Sequence, residues 1–183
     1  MTEPEITESL NSCRTQDGET LDELSRSSQL LVVFLRHAGC PFCRETLADL
    51  SKSRAAIEKA GARLVVVHMA TDEQALKLLS KYALDDVAQV SDPEQKLYRS
   101  FSLDRGSTGQ VMGPRVWWSG FKAVVLAGHL PGKPIGDVFQ LSGAFLVVYG
   151  KIARGFRHKT TADRPDYVDL ATCERSEDDA ARR

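Results

Sequence analysis

The sequence predicts an α/β fold, a mixed central sheet packed between two layers of helices, and three observations carry that expectation. Two strand-sized runs, Leu30-Leu31-Val32-Val33-Phe34-Leu35 and Leu64-Val65-Val66-Val67, are apolar without interruption, the pattern of strands buried on both faces. Each is followed by a stretch whose apolar residues recur at helical spacing. Near the C-terminus, Gly143 to Tyr149 and Lys151 to His158 face each other across Gly150 as a hairpin. Strand–helix alternation followed by a hairpin and a last helix buries every apolar face only in a layered sandwich.

The elements follow in order. Residues 1–20 are polar, with Gln16-Asp17-Gly18-Glu19 as a turn, and Thr20 caps a short helix through Leu24. Leu30 to Arg36 is the first strand. From Pro41 to Ala60, Phe42, Leu47, Leu50, Ala55 and Ile57 mark a helix that Gly61 ends. Arg63 to Met69 is the second strand. Thr71 caps a helix running to Leu84, with Leu76, Leu79 and Tyr82 on one face. Val87 to Val90 is a short strand ending in Ser91-Asp92-Pro93, and Pro93 to Leu103 is a short helix. Arg164 to Ala171 closes the domain, with Pro165 in its first turn. The domain spans 21–172, with an insertion at about 104–142 before the last hairpin, an N-terminal extension (1–20) and a charged tail (173–183).

Composition narrows the function. The 183 residues carry 24 Lys+Arg against 25 Asp+Glu, a formal charge of −1, so nothing points to a nucleic-acid partner. No apolar run reaches the length of a membrane span. The acidic Met1-Thr2-Glu3-Pro4-Glu5 lacks the basic and apolar regions of a secretion signal, so a cytoplasmic location is expected. Four cysteines are too few for a disulfide scaffold. Cys13 and Cys173 have no partner at motif spacing and read as ordinary thiols, with Cys173 the better candidate for folding back over a reactive site.

Chemistry concentrates at Arg36-His37-Ala38-Gly39-Cys40-Pro41-Phe42-Cys43. A buried strand runs into Cys-x-x-Cys, and a helix starts there. Unpaired N–H groups and the macrodipole at a helix start favour a thiolate, drawing its pKa from about 8.5 to roughly 3.5–7.5. Cys40 is expected to be the exposed nucleophile and Cys43, one turn in, the thiol that resolves it. His37, Arg36 and Arg44 add positive charge. Arg44 reads equally as the solvated first turn of the helix, and Phe42 as a residue packing under it. Pro41 stiffens the turn. A closed zinc site wants four ligands and only one Cys pair exists, so neither a metal nor another cofactor is called for. His68, inside an apolar strand, reads as a core histidine.

The element order resembles the thioredoxin-like fold, a three-layer sandwich. Met69-Ala70-Thr71-Asp72-Glu73-Gln74-Ala75 with Lys81-Tyr82, then Ser91-Asp92-Pro93-Glu94-Gln95-Lys96-Leu97-Tyr98, resembles the peroxiredoxin (AhpC/TSA) branch, within its subgroup carrying Cys-x-x-Cys. The likeness covers Leu30 to Lys159. It implies antioxidant thiol chemistry, with a disulfide or peroxide as substrate and glutathione or a thioredoxin-type protein as reductant; a homodimer is compatible with it. The Pro-aromatic pair between the cysteines is similar to glutaredoxins, which suits glutathione.

The departures are specific. Peroxiredoxins place Thr or Ser three residues before the reactive cysteine; here that residue is His37. Their late-strand Arg is absent near Leu141-Ser142-Gly143, leaving Arg36, Arg44 or Arg115 as replacements. Ser142 stands where thioredoxins carry a cis-proline, and a cis bond without proline costs about 2.5–4 kcal/mol. The insertion holds Arg115, Trp117, Trp118, Lys122, His129 and Lys133, a basic, aromatic segment fit to meet an anionic substrate or to cap the sheet edge. The leading expectation is a thiol–disulfide oxidoreductase. A thiol-dependent peroxidase and a non-catalytic redox-sensing or binding module are the alternatives.

Overall fold

A computed structural model describes residues 3–36, 40–107, 136–160 and 163–172. His37, Cys173, and Arg115, Trp117, Trp118 and His129 of the insertion lie outside the described residues.

The apolar runs become β1 (Gln29–Phe34), buried at every position, and β2 (Ala62–His68). With β3 (Ala88–Ser91), β4 (Gly143–Val148) and β5 (Lys151–Arg157) they form a five-stranded sheet in the order β3-β2-β1-β4-β5. The first three strands are parallel; β4 runs antiparallel to β1, and β5 to β4. Alternate β1 side chains serve two cores. Leu31 and Val33 face a layer that includes Leu47, Leu50 and Ile57 of α3 (Pro41–Lys59), Leu78 and Leu79 of α4 (Asp72–Leu79), and Leu170 near the chain's end. Leu30, Val32 and Phe34 face the opposite layer with Leu10, Leu24, Leu97 and Phe101. Phe34, Tyr98, Phe101 and Phe145 pack there as rings 4.9 to 5.7 Å apart, several edge to face.

Local signals act as expected where they are strong. Thr20 and Thr71 each close a capping box, for α2 (Leu21–Ser27) and α4 respectively. Gly61 ends α3 at φ 90°. Tyr149 and Gly150 both take positive φ, 48° and 73°, as a two-residue hairpin turn requires. Asp92 explains the Ser-Asp-Pro turn: its buried carboxylate accepts the N–H groups of Lys96, Leu97 and Tyr98 at the start of α5 (Lys96–Ser100).

Three expectations need correction. Glu3–Ser12 is a helix, α1, whose Ile6 and Leu10 enter the core, since two apolar residues four apart give it one buried stripe. On α4 the buried face is Ala75, Leu78 and Leu79, three and four residues apart, which turns Leu76 outward to 43% exposure; the helix ends at Leu79, and Tyr82 lies in a 3₁₀ turn at Ser80–Tyr82. The last helix, α6, is shorter than expected (Tyr167–Ala171): Asp166 is its cap, accepting from the N–H of Val168 and Asp169, so Pro165 lies before it.

Candidate active site

Antiparallel pairing of β1 with β4 decides the site. Phe34 sits opposite Gly143, so the residues leaving β1 run alongside those entering β4. Leu35 continues the sheet with its N–H on the Val67 carbonyl, while the fully buried Tyr98 donates its hydroxyl to the Leu35 carbonyl. Arg36 is thereby held at a fixed point between the start of α3 and the 138–140 backbone.

Arg36 is 4% exposed, and all its described bonds point inward. Its backbone N–H donates to Cys43 Sγ at 3.3 Å and its Nη1 to Cys40 Sγ at 3.5 Å. Its Nε donates to the Gln140 carbonyl at 2.9 Å and its Nη2 to the Val138 carbonyl. One residue therefore touches both sulfurs of the Cys-x-x-Cys. Of these acceptors only the sulfurs can take on negative charge. A guanidinium beside a sulfur opposes the cost that burial places on a thiolate.

Both cysteines are thiols here. Cys40 is the N-cap residue of α3, with Pro41 in the first turn; its side chain caps no backbone N–H, and its sulfur accepts from Arg36 Nη1. The expected exposure of Cys40 is corrected: it is 2% exposed, as buried as Cys43 at 3%. Arg36 also joins the 138–140 backbone to the helix start, a long-range contact that local pattern does not encode.

Other expected residues fall into place around this centre. Phe42 is partly buried against the core cluster on the α3 side of the sheet. The charge of Arg44 acts on Tyr82, opposing the rise that burial gives that phenol, and its buried Nε finds no partner among the described residues. Ser142 is buried and its carbonyl accepts from the His158 N–H at 3.0 Å; no cis peptide occurs among the described residues. His68 is the core histidine expected, its nitrogens 3.1 Å from the Ala70 carbonyl and 3.2 Å from Gln89 Oε1, with burial lowering its pKa. Cys13 is half-buried, 3.8 Å from Ser12 Oγ, and burial pushes its thiol up.

Several neighbours carry no local signal in the sequence. Burial pushes His158 down to about 4; Asp163 opposes the fall, and the Arg36 and Arg164 cations add to it. Its Nδ1 is buried without a hydrogen-bond partner among the described residues. Burial raises Tyr98 well above the phenol range and pushes Tyr167 up to about 12, with negative charge at Cys43 adding to both. Arg164 clasps this C-terminal segment onto α3, reaching Glu45 at 3.2 Å and Asp49 at 2.8 Å.

A buried dithiol at a helix start, beside a guanidinium and on a mixed five-stranded sheet, defines a protein of the thioredoxin-like class. The AhpC/TSA family model matches residues 7–117, and the chain belongs to that family. Bos taurus peroxiredoxin-like 2C is 29% identical over 129 residues, covering 66% of this chain and 53% of the relative. Homo sapiens peroxiredoxin-like 2A is 26% identical over 155 residues, covering 81% and 63%. The chain thus matches less than two-thirds of either relative's length. Among solved structures, peroxiredoxin Q of Xanthomonas campestris aligns with a TM-score of 0.58 at 17% identity, covering 87% of this chain and 85% of that one. Peroxidoxin BcpB of Mycobacterium tuberculosis aligns at 0.59 and 14% identity, covering 87% of each. These structures share the fold. Among the described residues, no helix is long and apolar enough to cross a membrane.

Proposed function

We propose that this chain is a thiol-dependent redox enzyme whose Cys40 and Cys43 alternate between dithiol and disulfide, with a small hydroperoxide as oxidant. Support comes from Arg36, which presents its guanidinium to Cys40 and its backbone N–H to Cys43. Burial of Cys40 to 2% exposure favours a reagent of a few atoms over the disulfide of a folded protein.

The Cys40 thiolate attacks the outer peroxide oxygen, and the O–O bond breaks. Cys40 becomes a sulfenic acid, and the alkoxide or hydroxide leaves with a proton from water. Cys43 sulfur then attacks Cys40 sulfur, releasing water and forming the disulfide. Two equivalents of glutathione, or one of a dithiol protein, restore the dithiol by exchange and depart as their own disulfide. Arg36 replaces, from the end of β1, the late-strand arginine that peroxiredoxins use and this sequence lacks. His37, three residues before Cys40 in the sequence, and Arg115 of the insertion are carried in this proposal as supporting groups.

A second reading, thiol–disulfide exchange as the forward reaction, is favoured by the placement of Cys40 as the N-terminal cysteine of the pair at the α3 cap. Stopped-flow oxidation of the reduced protein by hydrogen peroxide, set beside its exchange with glutathione disulfide, separates the two. Fast, Cys40-dependent oxidation by peroxide supports the peroxidase. Slow peroxide reaction with rapid exchange supports the oxidoreductase. Retention of both activities in Cys40→Ser overturns the catalytic proposal and leaves the non-catalytic module.

A further inference from the structure

We propose that Gln140 is a positioning residue for the Cys40 centre, acting through Arg36; this rests on Cys40 being the reactive thiolate. A guanidinium is planar, so fixing two of its nitrogens fixes the direction of the third. Nε and Nη2 of Arg36 are fixed on the carbonyls of Gln140 and Val138, and Nη1 then aims at Cys40 Sγ. The aim is only as good as the placement of those two carbonyls.

Gln140 holds them. It is 2% exposed, and its side-chain Nε2 donates to the Leu103 carbonyl at 2.7 Å and the Leu141 carbonyl at 3.1 Å, with the Asp104 carbonyl at 3.4 Å. One amide thus ties the 138–142 backbone to the 103–104 backbone. The ribbon is completed by Gly106 N–H on the Phe139 carbonyl, Leu141 N–H on the Asp104 carbonyl, and the Arg105–Asp137 ion pair at its outer end. Gln140 carries its amide on one backbone and offers its own carbonyl to Arg36, so its loss releases the guanidinium on the side away from the sulfur.

The probe is iodoacetamide alkylation of Cys40 across pH, followed by mass spectrometry of the Cys40 peptide. Gln140→Met keeps the volume and removes the donor; it is expected to move the Cys40 titration midpoint upward by a substantial fraction of a pH unit. Alkylation below the wild-type midpoint then slows by about three- to tenfold. In an Arg36→Met background the same substitution changes the rate by less than about 1.5-fold, because the coupling runs through the guanidinium. Arg105→Ala, at the exposed end of the ribbon, leaves the midpoint unchanged. An equal effect of Gln140→Met in both backgrounds, an unshifted midpoint in the single variant, or an equal shift from Arg105→Ala overturns the proposal. A wild-type Cys40 that titrates like an ordinary thiol instead overturns the redox reading beneath it. Gln140→Glu, which places a carboxylate against the Leu103 and Leu141 carbonyls, is the second variant if Gln140→Met fails to fold.

Discussion

Replacing His158 with Leu should remove most of the acid sensitivity that this buried imidazole gives the fold. Burial holds its folded pKa at about 4, against about 6.5 for an exposed histidine. Below pH 6.5 the unfolded chain therefore binds a proton that the folded chain refuses, and stability falls with pH until about 4, below which both states are protonated. A difference of about 2.5 pH units corresponds to roughly 3 kcal/mol in all, of which about 2 kcal/mol is already lost at pH 5. Nothing from this group is lost above pH 7.

Urea unfolding of wild type and His158→Leu at pH 7.5, 6, 5 and 4 measures it. Lowered carboxylates such as Asp163 and Asp86 also cost stability in acid, but they are present in both proteins and largely cancel in the difference. Leu has a similar volume and does not need a partner for the unpaired Nδ1, so the variant should be near wild-type stability at pH 7.5. The gap between the two proteins should then open in favour of the variant as pH falls from 6.5 to 4. Parallel pH curves would refute the reasoning, for they would mean that His158 titrates alike folded and unfolded.

Arg36→Met should raise the Cys40 titration midpoint by about one pH unit, the lower end of what a hydrogen bond to a charged group contributes, because the Nη1–sulfur contact is long at 3.5 Å; thiolate ultraviolet absorbance against pH reads it. Gly155→Ala should destabilise the fold by about 1–3 kcal/mol in chemical denaturation, since its Cβ would stand 2.6 Å from Phe145 Cδ1 in a ring cluster with little room to yield. Asp92→Ala leaves the first N–H groups of α5 without their acceptor and should cost about 1–3 kcal/mol; unchanged stability would mean that water replaces the carboxylate at no cost.

Local chemistry made much of this protein legible. The apolar runs had to be strands buried on both faces, Thr20 and Thr71 had to cap helices, and the left-handed Gly61 and Gly150 had to end elements. The Cys-x-x-Cys at a strand-to-helix junction marked the candidate redox centre, because a helix start is where backbone N–H groups can favour a thiolate. Such signals act over one or two turns, so neighbouring residues suffice to reveal them. The α1 stripe was too short to stand out, with Ile6 and Leu10 its described buried apolar residues.

What surrounds the sulfurs was settled by the sheet. Arg36, one of three candidate arginines, is set beside Gln140 and Cys40 by the β1–β4 register. Gln140 and His158, about a hundred residues or more along the chain, reach the site by strand pairing and by the Arg164 clasp on α3. The sequence determined that a dithiol sits at the start of a helix. Tertiary structure decided that it is buried and set against Arg36, because burial and charge pairing depend on contacts between distant segments that no local spacing specifies.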